Sequence, residues 1–69
     1  MVIPDTIVEI KYNAFQFNSL DSIIIPNSVV TIGEDAFGDN LVTSITIYGD
    51  ETRFNSIWEY IGFPVGLMP

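Results

Sequence analysis

Three acidic side chains that lie close together in the sequence are the best candidates for chemistry in this chain. Glu34, Asp35 and Asp39 all fall in one predicted turn. Paired carboxylates can serve as a general acid and base, and several carboxylate oxygens can bind a hard cation such as Ca²⁺. Their spacing is not that of an EF-hand loop. We therefore interpret them as a solvated acidic loop, and keep a small acidic metal-binding or carboxylate-based enzyme domain as the alternative.

Other catalytic and cofactor chemistry lacks the residues that it would need. The chain has no histidine and no cysteine, so it lacks the usual general base and the strongest nucleophile at neutral pH. Its five glycines form neither a Walker nor a Rossmann pattern. Asp50 and Glu51 are interpreted as helix-capping residues. We predict that the chain is not an enzyme and that it uses no cofactor.

The charge of the chain restricts its partners. Nine acidic residues face two basic ones, Lys11 and Arg53, which gives a formal net charge of -7. Such a chain repels phosphate backbones and anionic lipid, so neither nucleic acid nor a membrane is an expected partner. The longest aliphatic run, Ile23–Ile25, is far too short to span a bilayer. Residues 1–5 do not resemble a signal peptide, and the compartment stays undetermined.

Most of the chain belongs to a sequence repeat with a period of 22 residues. Within residues 1–25, ten are identical to the residue 22 positions later, where composition alone would give roughly one or two matches. This period predicts two copies of one structural unit, stacked on each other. The identical positions of the first copy are Ile3, Pro4, Val8, Ile10, Ala14, Phe15, Asn18, Ser22, Ile23 and Ile25.

The repeated residues resemble the BspA-like leucine-rich repeats. The matching runs are Ile25–Phe37 and Leu41–Ile47, and the resemblance covers about residues 2–48. The sequence departs from the family pattern at Lys11, which replaces a glycine, and at Tyr48, which replaces a proline. The resemblance implies a leucine-rich-repeat solenoid with short parallel β-strands and tight turns of helical or 3₁₀ type. The resemblance also implies that the chain binds other proteins without catalysing a reaction, and that it is secreted or located at the cell surface.

Two parallel ladders of strands are predicted from the apolar runs of the repeat. Ile23–Ile25 should pair with Ile45–Ile47, and side chains at alternate positions of each run should share a face. A second ladder should join residues 7–10 to residues 29–32, with a bend in each run. The predicted inward side chains of this second ladder are Ile7, Ile10, Val29 and Ile32, and the outward ones are Glu9 and Thr31.

The turns that connect the ladders carry small, aromatic and amide side chains at matching positions. In Ala14–Phe15 and Ala36–Phe37 the phenylalanines should fill the space between layers, while the alanines let the layers approach closely. Asn18 and Asn40, where the family often has a cysteine, are predicted to satisfy backbone groups of the loop. We therefore assign both asparagines a structural role.

A different period follows residue 48 and predicts an amphipathic α-helix, within residues 49–62, that caps the last unit. Gly62 is the expected C-cap, and Pro64 prevents the helix from resuming. The apolar tail, residues 63–69, should be extended and either pack along the cap or bind a neighbouring molecule. The predicted apolar stripe of the helix is Phe54, Ile57, Trp58 and Ile61.

The predicted single domain covers residues 1–69, with repeat units at about 3–24 and 25–47 and a C-terminal cap at 48–69. Repeat units cannot bury their faces alone, and the first unit has no predicted cap. The simplest cover is a second copy related by a two-fold axis, so we favour a homodimer. The alternative is that the chain is the C-terminal capping fragment of a longer surface-protein repeat array. The candidate self-association residues are Met1, Val2, Ile3, Phe63, Leu67 and Met68.

The outward side chains of the first ladder form a second candidate surface. In longer relatives, the resemblance implies that the corresponding concave sheet recognises other proteins. Two units make this surface small, because a standard interface buries about 800 Å² on each partner. We expect Ile24 to be exposed there. The candidate partner-binding residues are Asp21, Ile24, Thr43, Thr46 and Tyr48.

Overall fold

Two parallel ladders with an offset of 22 residues organise the computed structural model, which describes all 69 residues. The strands are β1, Glu9–Ile10; β2, Ser22–Ile25; β3, Thr31–Ile32; and β4, Ser44–Ile47. β1 pairs with β3, and β2 pairs with β4. Both predicted ladders are therefore confirmed, in the register that the repeat implies.

The ladder of β2 and β4 is extended on its other side by the start of the chain. Val2 forms a parallel bridge with Ile24, and the Ile24 amide donates to the Met1 carbonyl at 2.9 Å. β2 is thus the central strand, and its Ile23 and Ile25 side chains are buried. Ile24 points to the opposite face, as the two-residue period of a strand requires.

The ladder of β1 and β3 is shorter than predicted, because each strand has only two residues. The amides of Val30 and Thr31 both approach the Val8 carbonyl, at 2.7 and 3.4 Å, so the backbone bends where regular pairing would have begun. Ile10 and Ile32 are buried while Glu9 and Thr31 are exposed, which confirms the predicted faces.

The turns after β1 and β3 differ from the helical or 3₁₀ turns that the resemblance implies. Neither turn contains a helix of either type. Instead, each turn places two non-glycine residues in the left-handed region, at matching positions of the repeat. These residues are Asn13, Phe17, Asp35 and Asp39, with φ angles of 58, 59, 51 and 55°.

The predicted C-terminal helix is much shorter than residues 49–62. A 3₁₀ turn covers Asn55–Ile57, and the α-helix α1 covers only Trp58–Ile61. Ile57, the last residue of the 3₁₀ turn and the N-cap of α1, has a φ of -121°, which breaks the helix. The prediction failed because the stripe specifies only which side chains are buried, and the two short turns bury three of the four, Phe54, Trp58 and Ile61, without a continuous helix.

The end of α1 follows the prediction. Gly62 adopts a φ of 97°, its amide donates to the Glu59 carbonyl, and the Phe63 amide donates to the Trp58 carbonyl at 3.2 Å. These two bonds form a Schellman motif, and the rings of Trp58 and Phe63 make the apolar contact that usually accompanies it. A second 3₁₀ turn, Val65–Leu67, follows.

One core connects both ladders to the C-terminal segment, residues 48–69. The tail packs along this segment, because the Trp58 indole donates to the Pro64 carbonyl at 2.6 Å and Phe63 is buried. No helix in the chain is long and apolar enough to cross a membrane. The buried core residues are Ile3, Ile10, Ile23, Ile25, Val29, Ile32, Ala36, Phe37, Val42, Phe54, Trp58, Ile61 and Phe63.

Candidate functional site

The most apolar opening lies on the first repeat unit, on the side that faces away from the second. We call it the N-terminal face. It surrounds a cavity of about 270 Å³ whose exposed wall is almost entirely apolar. Its only charged side chains are Glu9 and Lys11, whose charged atoms lie 3.8 Å apart. The lining residues are Ile3, Pro4, Ile7, Glu9, Ile10, Lys11, Ala14 and Phe15.

Matching positions of the two units show that the N-terminal face is uncovered. Ala14 is exposed, whereas Ala36, its counterpart 22 residues later, is completely buried. Phe15 is partly buried, whereas Phe37 is completely buried. The second unit has the first unit on one side and α1 on the other, and the first unit has a neighbour on only one side. The outer side of Ala14 and Phe15 is therefore exposed in the structure.

Backbone hydrogen bonds end at the same face. The carbonyls of Glu34 and Ala36 accept from the amides of Asn13 and Phe15, at 3.0 and 2.8 Å. The equivalent carbonyls of the first unit belong to Tyr12 and Ala14, and they accept no hydrogen bond from the chain. The N-terminal face thus combines apolar side chains with two backbone carbonyls, of Tyr12 and Ala14, that accept no hydrogen bond.

A lysine at the edge of this face limits what can pack there. In the second unit the same position is Gly33, and a Cβ atom on Gly33 would lie 2.5 Å from the Tyr12 amide nitrogen. The close stacking of the two units therefore requires glycine at position 33. Lys11 carries a side chain at the equivalent place, so the N-terminal face cannot accept another unit at the same close distance.

The candidate self-association residues separate into surface and core positions. Val2 and Met68 are exposed, and Met1 and Leu67 are partly buried. Ile3 and Phe63 are buried in the core of the same chain, and of these two only Ile3 also lines the N-terminal face. Phe63 stacks on Phe37 with ring centroids 5.0 Å apart, which explains why its side chain is unavailable.

The predicted partner-binding residues do lie along the ladder of β2 and β4. Four of them, Asp21, Thr43, Thr46 and Tyr48, are exposed. Ile24 is only partly exposed, contrary to the prediction, because the start of the chain pairs beside it at Val2. The surface is mainly polar, and no cavity opens onto it.

The acidic residues of the second turn do not assemble a metal site. No group of three or more acidic side chains in the chain could hold a metal ion. Asp39 accepts a hydrogen bond from the Gln16 amide at 3.2 Å. Glu34 and Asp39 are exposed, as expected for a solvated loop, whereas Asp35 is partly buried.

Asp50 caps a turn and not the helix. Its carboxylate accepts hydrogen bonds from the Thr52 hydroxyl at 2.7 Å and from the Thr52 amide at 2.9 Å. These two bonds favour the charged form and lower the pKa of Asp50 below its ordinary value. α1 begins later, without a side-chain cap, so the capping role predicted for Asp50 applies to the preceding turn.

Arg53 has a structural role that the sequence analysis missed. Its guanidinium donates to the carbonyls of Pro26, Val29 and Tyr48, and it lies over the Phe54 ring at 4.5 Å. These bonds join the C-terminal segment to the second unit. Its only signal in the sequence is that it is one of two basic residues in an acidic chain.

A second groove, of about 290 Å³, runs across the outer side of β1 and β3. Its lining is partly polar and partly apolar, and it includes two tyrosines, three charged side chains and Gly33. The structure brings Tyr12 and Tyr60, which are 48 positions apart in the sequence, to this one groove. The lining residues are Glu9, Ile10, Lys11, Tyr12, Thr31, Ile32, Gly33, Glu34 and Tyr60.

Comparison with known proteins agrees with the repeat geometry. A family model described as BspA type Leucine rich repeat region (6 copies) matches residues 1–61. The match extends past β4 to the end of α1, so it includes most of the C-terminal segment. No curated protein and no solved structure matches the chain significantly.

Proposed function

The chain belongs to the BspA-type leucine-rich repeat family, and from that premise we propose that it is a non-catalytic protein-interaction module of solenoid type. Leucine-rich repeats of this kind generally mediate contacts between proteins. We further propose that the N-terminal face is the binding surface and that a second copy of the chain covers it. Fold alone does not determine function, and the support for this assignment is the exposed apolar surface of the N-terminal face.

The observation that carries the proposal is the difference in burial between matching positions. Ala14 and Phe15 repeat the sequence of Ala36 and Phe37, yet they are less buried because only one side of the first unit is covered. Covering a partly exposed phenylalanine contributes to binding through apolar burial, at about 25 cal/mol for each Å² removed from water. The N-terminal face therefore gains free energy from any partner that excludes water there.

Charge favours this face as the place where two copies meet. The whole chain has a formal net charge of -7, so two copies repel each other over most of their surfaces. Glu9 and Lys11 balance each other on the N-terminal face, so this surface is formally neutral. The remaining repulsion is screened within about 10 Å at 0.1 M salt. Association should therefore strengthen as salt is added.

Lys11 favours a two-fold arrangement over a stack in one direction. A further unit stacked in the repeat register would have to approach at the distance that Gly33 permits, and Lys11 blocks that approach. Two copies related by a two-fold axis bring apolar side chains together and do not need this contact. Such an interface is closed, so it yields a dimer and no fibre.

Light scattering coupled to size exclusion, over a dilution series, tests the proposal. We expect the mass to approach twice the 7.7 kDa of the chain at high concentration and to fall on dilution. Ala14→Glu places a charge at the centre of the face on an exposed position, and it should leave a folded monomer. Leu41→Glu is the matched control, because it adds the same charge at a side chain that is 86% exposed and outside the face.

A folded monomer at all concentrations would contradict self-association and leave the N-terminal face for a different protein. Equal weakening by Ala14→Glu and Leu41→Glu would also contradict it, because net charge would then explain the effect. Additional salt should raise the dimer fraction of the unmodified chain. A lower dimer fraction at high salt would show that the interface depends on ion pairs, contrary to the proposal.

A further inference from the structure

The second groove contains equivalent positions from three successive layers of the molecule. The Asn13 amide donates to the Glu34 carbonyl at 3.0 Å, and the Asp35 amide donates to the Tyr60 carbonyl at 2.8 Å. Tyr60 is therefore the counterpart of Glu34 in the next layer, as Glu34 is of Tyr12 in the layer before. The result is a row of three side chains in the order tyrosine, glutamate, tyrosine.

The side chains of this row have no partners within the chain. The hydroxyl groups of Tyr12 and Tyr60 make no hydrogen bond, and their side chains are 72% and 54% exposed. Glu34 has no ion pair, because Lys11, the only cation in the groove, lies 3.8 Å from Glu9. Glu34 thus lies between two aromatic residues as an uncompensated negative charge.

The floor of the groove leaves space for an incoming group. Gly33 has no side chain, and it lies beside Glu34 at the level where the first unit approaches most closely. The backbone of Tyr12 fills the place where a Cβ on Gly33 would lie, so the space for an incoming group is the groove of about 290 Å³ itself. A flat or extended side chain can enter there without displacing part of the protein.

We infer that this groove binds an arginine or lysine side chain in a basic segment of a partner protein. Tyrosine rings attract cations through their negative faces, and a carboxylate forms charge-assisted hydrogen bonds with guanidinium. Tyr12 and Tyr60 supply the rings, and Glu34 supplies the carboxylate. The net charge of -7 raises the local concentration of basic partners and opposes acidic ones.

This groove is a binding site separate from the proposed dimer surface. The groove and the N-terminal face share Glu9, Ile10 and Lys11, whereas Glu34 and Tyr60 line the groove alone. Glu34 and Tyr60 lie in the second and third layers, so a dimer that covers the N-terminal face would not cover them. Variants at these two positions therefore test the groove without touching the face.

The test is fluorescence anisotropy with a fluorescein-labelled Gly-Arg-Gly-Arg-Gly peptide at low salt. Glu34→Gln and Tyr60→Leu should each weaken binding by about fivefold, the size of one exposed ion pair or cation-π contact. Lys11→Gln should strengthen binding, because it removes a competing cation. The matched controls are Glu51→Gln and Tyr48→Leu, at exposed positions outside the groove, and they should change binding by less than about twofold.

Equal weakening by Glu34→Gln and Glu51→Gln would overturn the inference, since only the net charge would then matter. Equal binding of a peptide with citrulline in place of arginine would overturn it as well, because citrulline lacks the positive charge. The light-scattering experiment on Glu34→Gln separates the two proposals. An unchanged dimer with weakened peptide binding supports the groove. Unchanged peptide binding overturns the groove whatever happens to the dimer, and a lost dimer with weakened peptide binding contradicts only the placement of the dimer surface on the N-terminal face.

Discussion

Left-handed backbone conformations at four positions define the turns of this protein at the scale of the residue. Three of the positions hold Asn13, Asp35 and Asp39, whose short polar side chains tolerate this conformation. The fourth holds Phe17, with a φ of 59° and a side chain that is 77% exposed. The Phe17 ring is not in the core, so its contacts do not compensate for the strain of its backbone.

Replacing Phe17 should therefore stabilise the protein. Phe17→Asn keeps the left-handed conformation at lower cost, and we expect the free energy of unfolding to rise by about 1 kcal/mol. Urea denaturation measures the change. Tyr48→Asn is the control, because Tyr48 is also an exposed aromatic residue but has no positive φ. A loss of stability in Phe17→Asn would show that the ring makes contacts the structure does not contain.

At the scale of the element, the turns of the two repeat units are joined by the side chain of Asn40. Asn40 lies within hydrogen-bonding distance of carbonyls in both units, at 3.0 Å from Phe15 and 3.1 Å from Phe37, and it accepts from the Leu20 amide at 3.0 Å. Asn18 bonds only to carbonyls of its own turn. Both asparagines have the predicted structural role, and only Asn40 joins two units.

The two asparagines should accordingly differ in their effect on stability. Asn40→Ala leaves partly buried carbonyls and an amide unpaired, and it should lower the free energy of unfolding by about 2 to 3 kcal/mol. Asn18→Ala removes exposed bonds that water can replace, and it should cost about 1 kcal/mol or less. Thermal melting followed by circular dichroism compares them. Equal losses would contradict the assignment of Asn40 as the link between units.

A stack of three phenylalanine rings holds the whole molecule together. Phe15, Phe37 and Phe63 come from the first unit, the second unit and the C-terminal segment, with ring centroids 5.4 and 5.0 Å apart. Trp58 contacts the last ring, at 4.8 Å. Because 69 residues form only a small core, this stack connects a large share of the buried surface.

The position of each ring in the stack should set the cost of removing it. Phe63→Ala deletes a buried ring and should lower the free energy of unfolding by about 3 kcal/mol or more. Phe15→Ala deletes a partly exposed ring, so about half of that loss is expected at dilutions where the chain is monomeric. Denaturant titration with Trp58 fluorescence measures both variants. A larger loss for Phe15 would indicate that its ring is covered even in the monomer.

The repeat register could be predicted from the sequence, and the shape of the C-terminal segment could not. Matching residues 22 positions apart must occupy equivalent places when identical units stack, so the strand pairs and their inward faces follow from periodicity alone. The same local logic predicted the Gly62 cap. By contrast, Tyr60 follows Glu34 and Phe63 follows Phe37 by 26 positions, so the 22-residue period predicts neither relation.

These relations depend on contacts between residues far apart in the chain. Arg53 finds its carbonyl partners, and Tyr60 joins Tyr12 in one groove, because packing against the second unit places them there. The helix stops at four residues for the same reason, since tertiary contacts outweigh the weak propensity of a short segment. Local pattern specified the ladders, and long-range packing specified the third layer and both candidate binding surfaces.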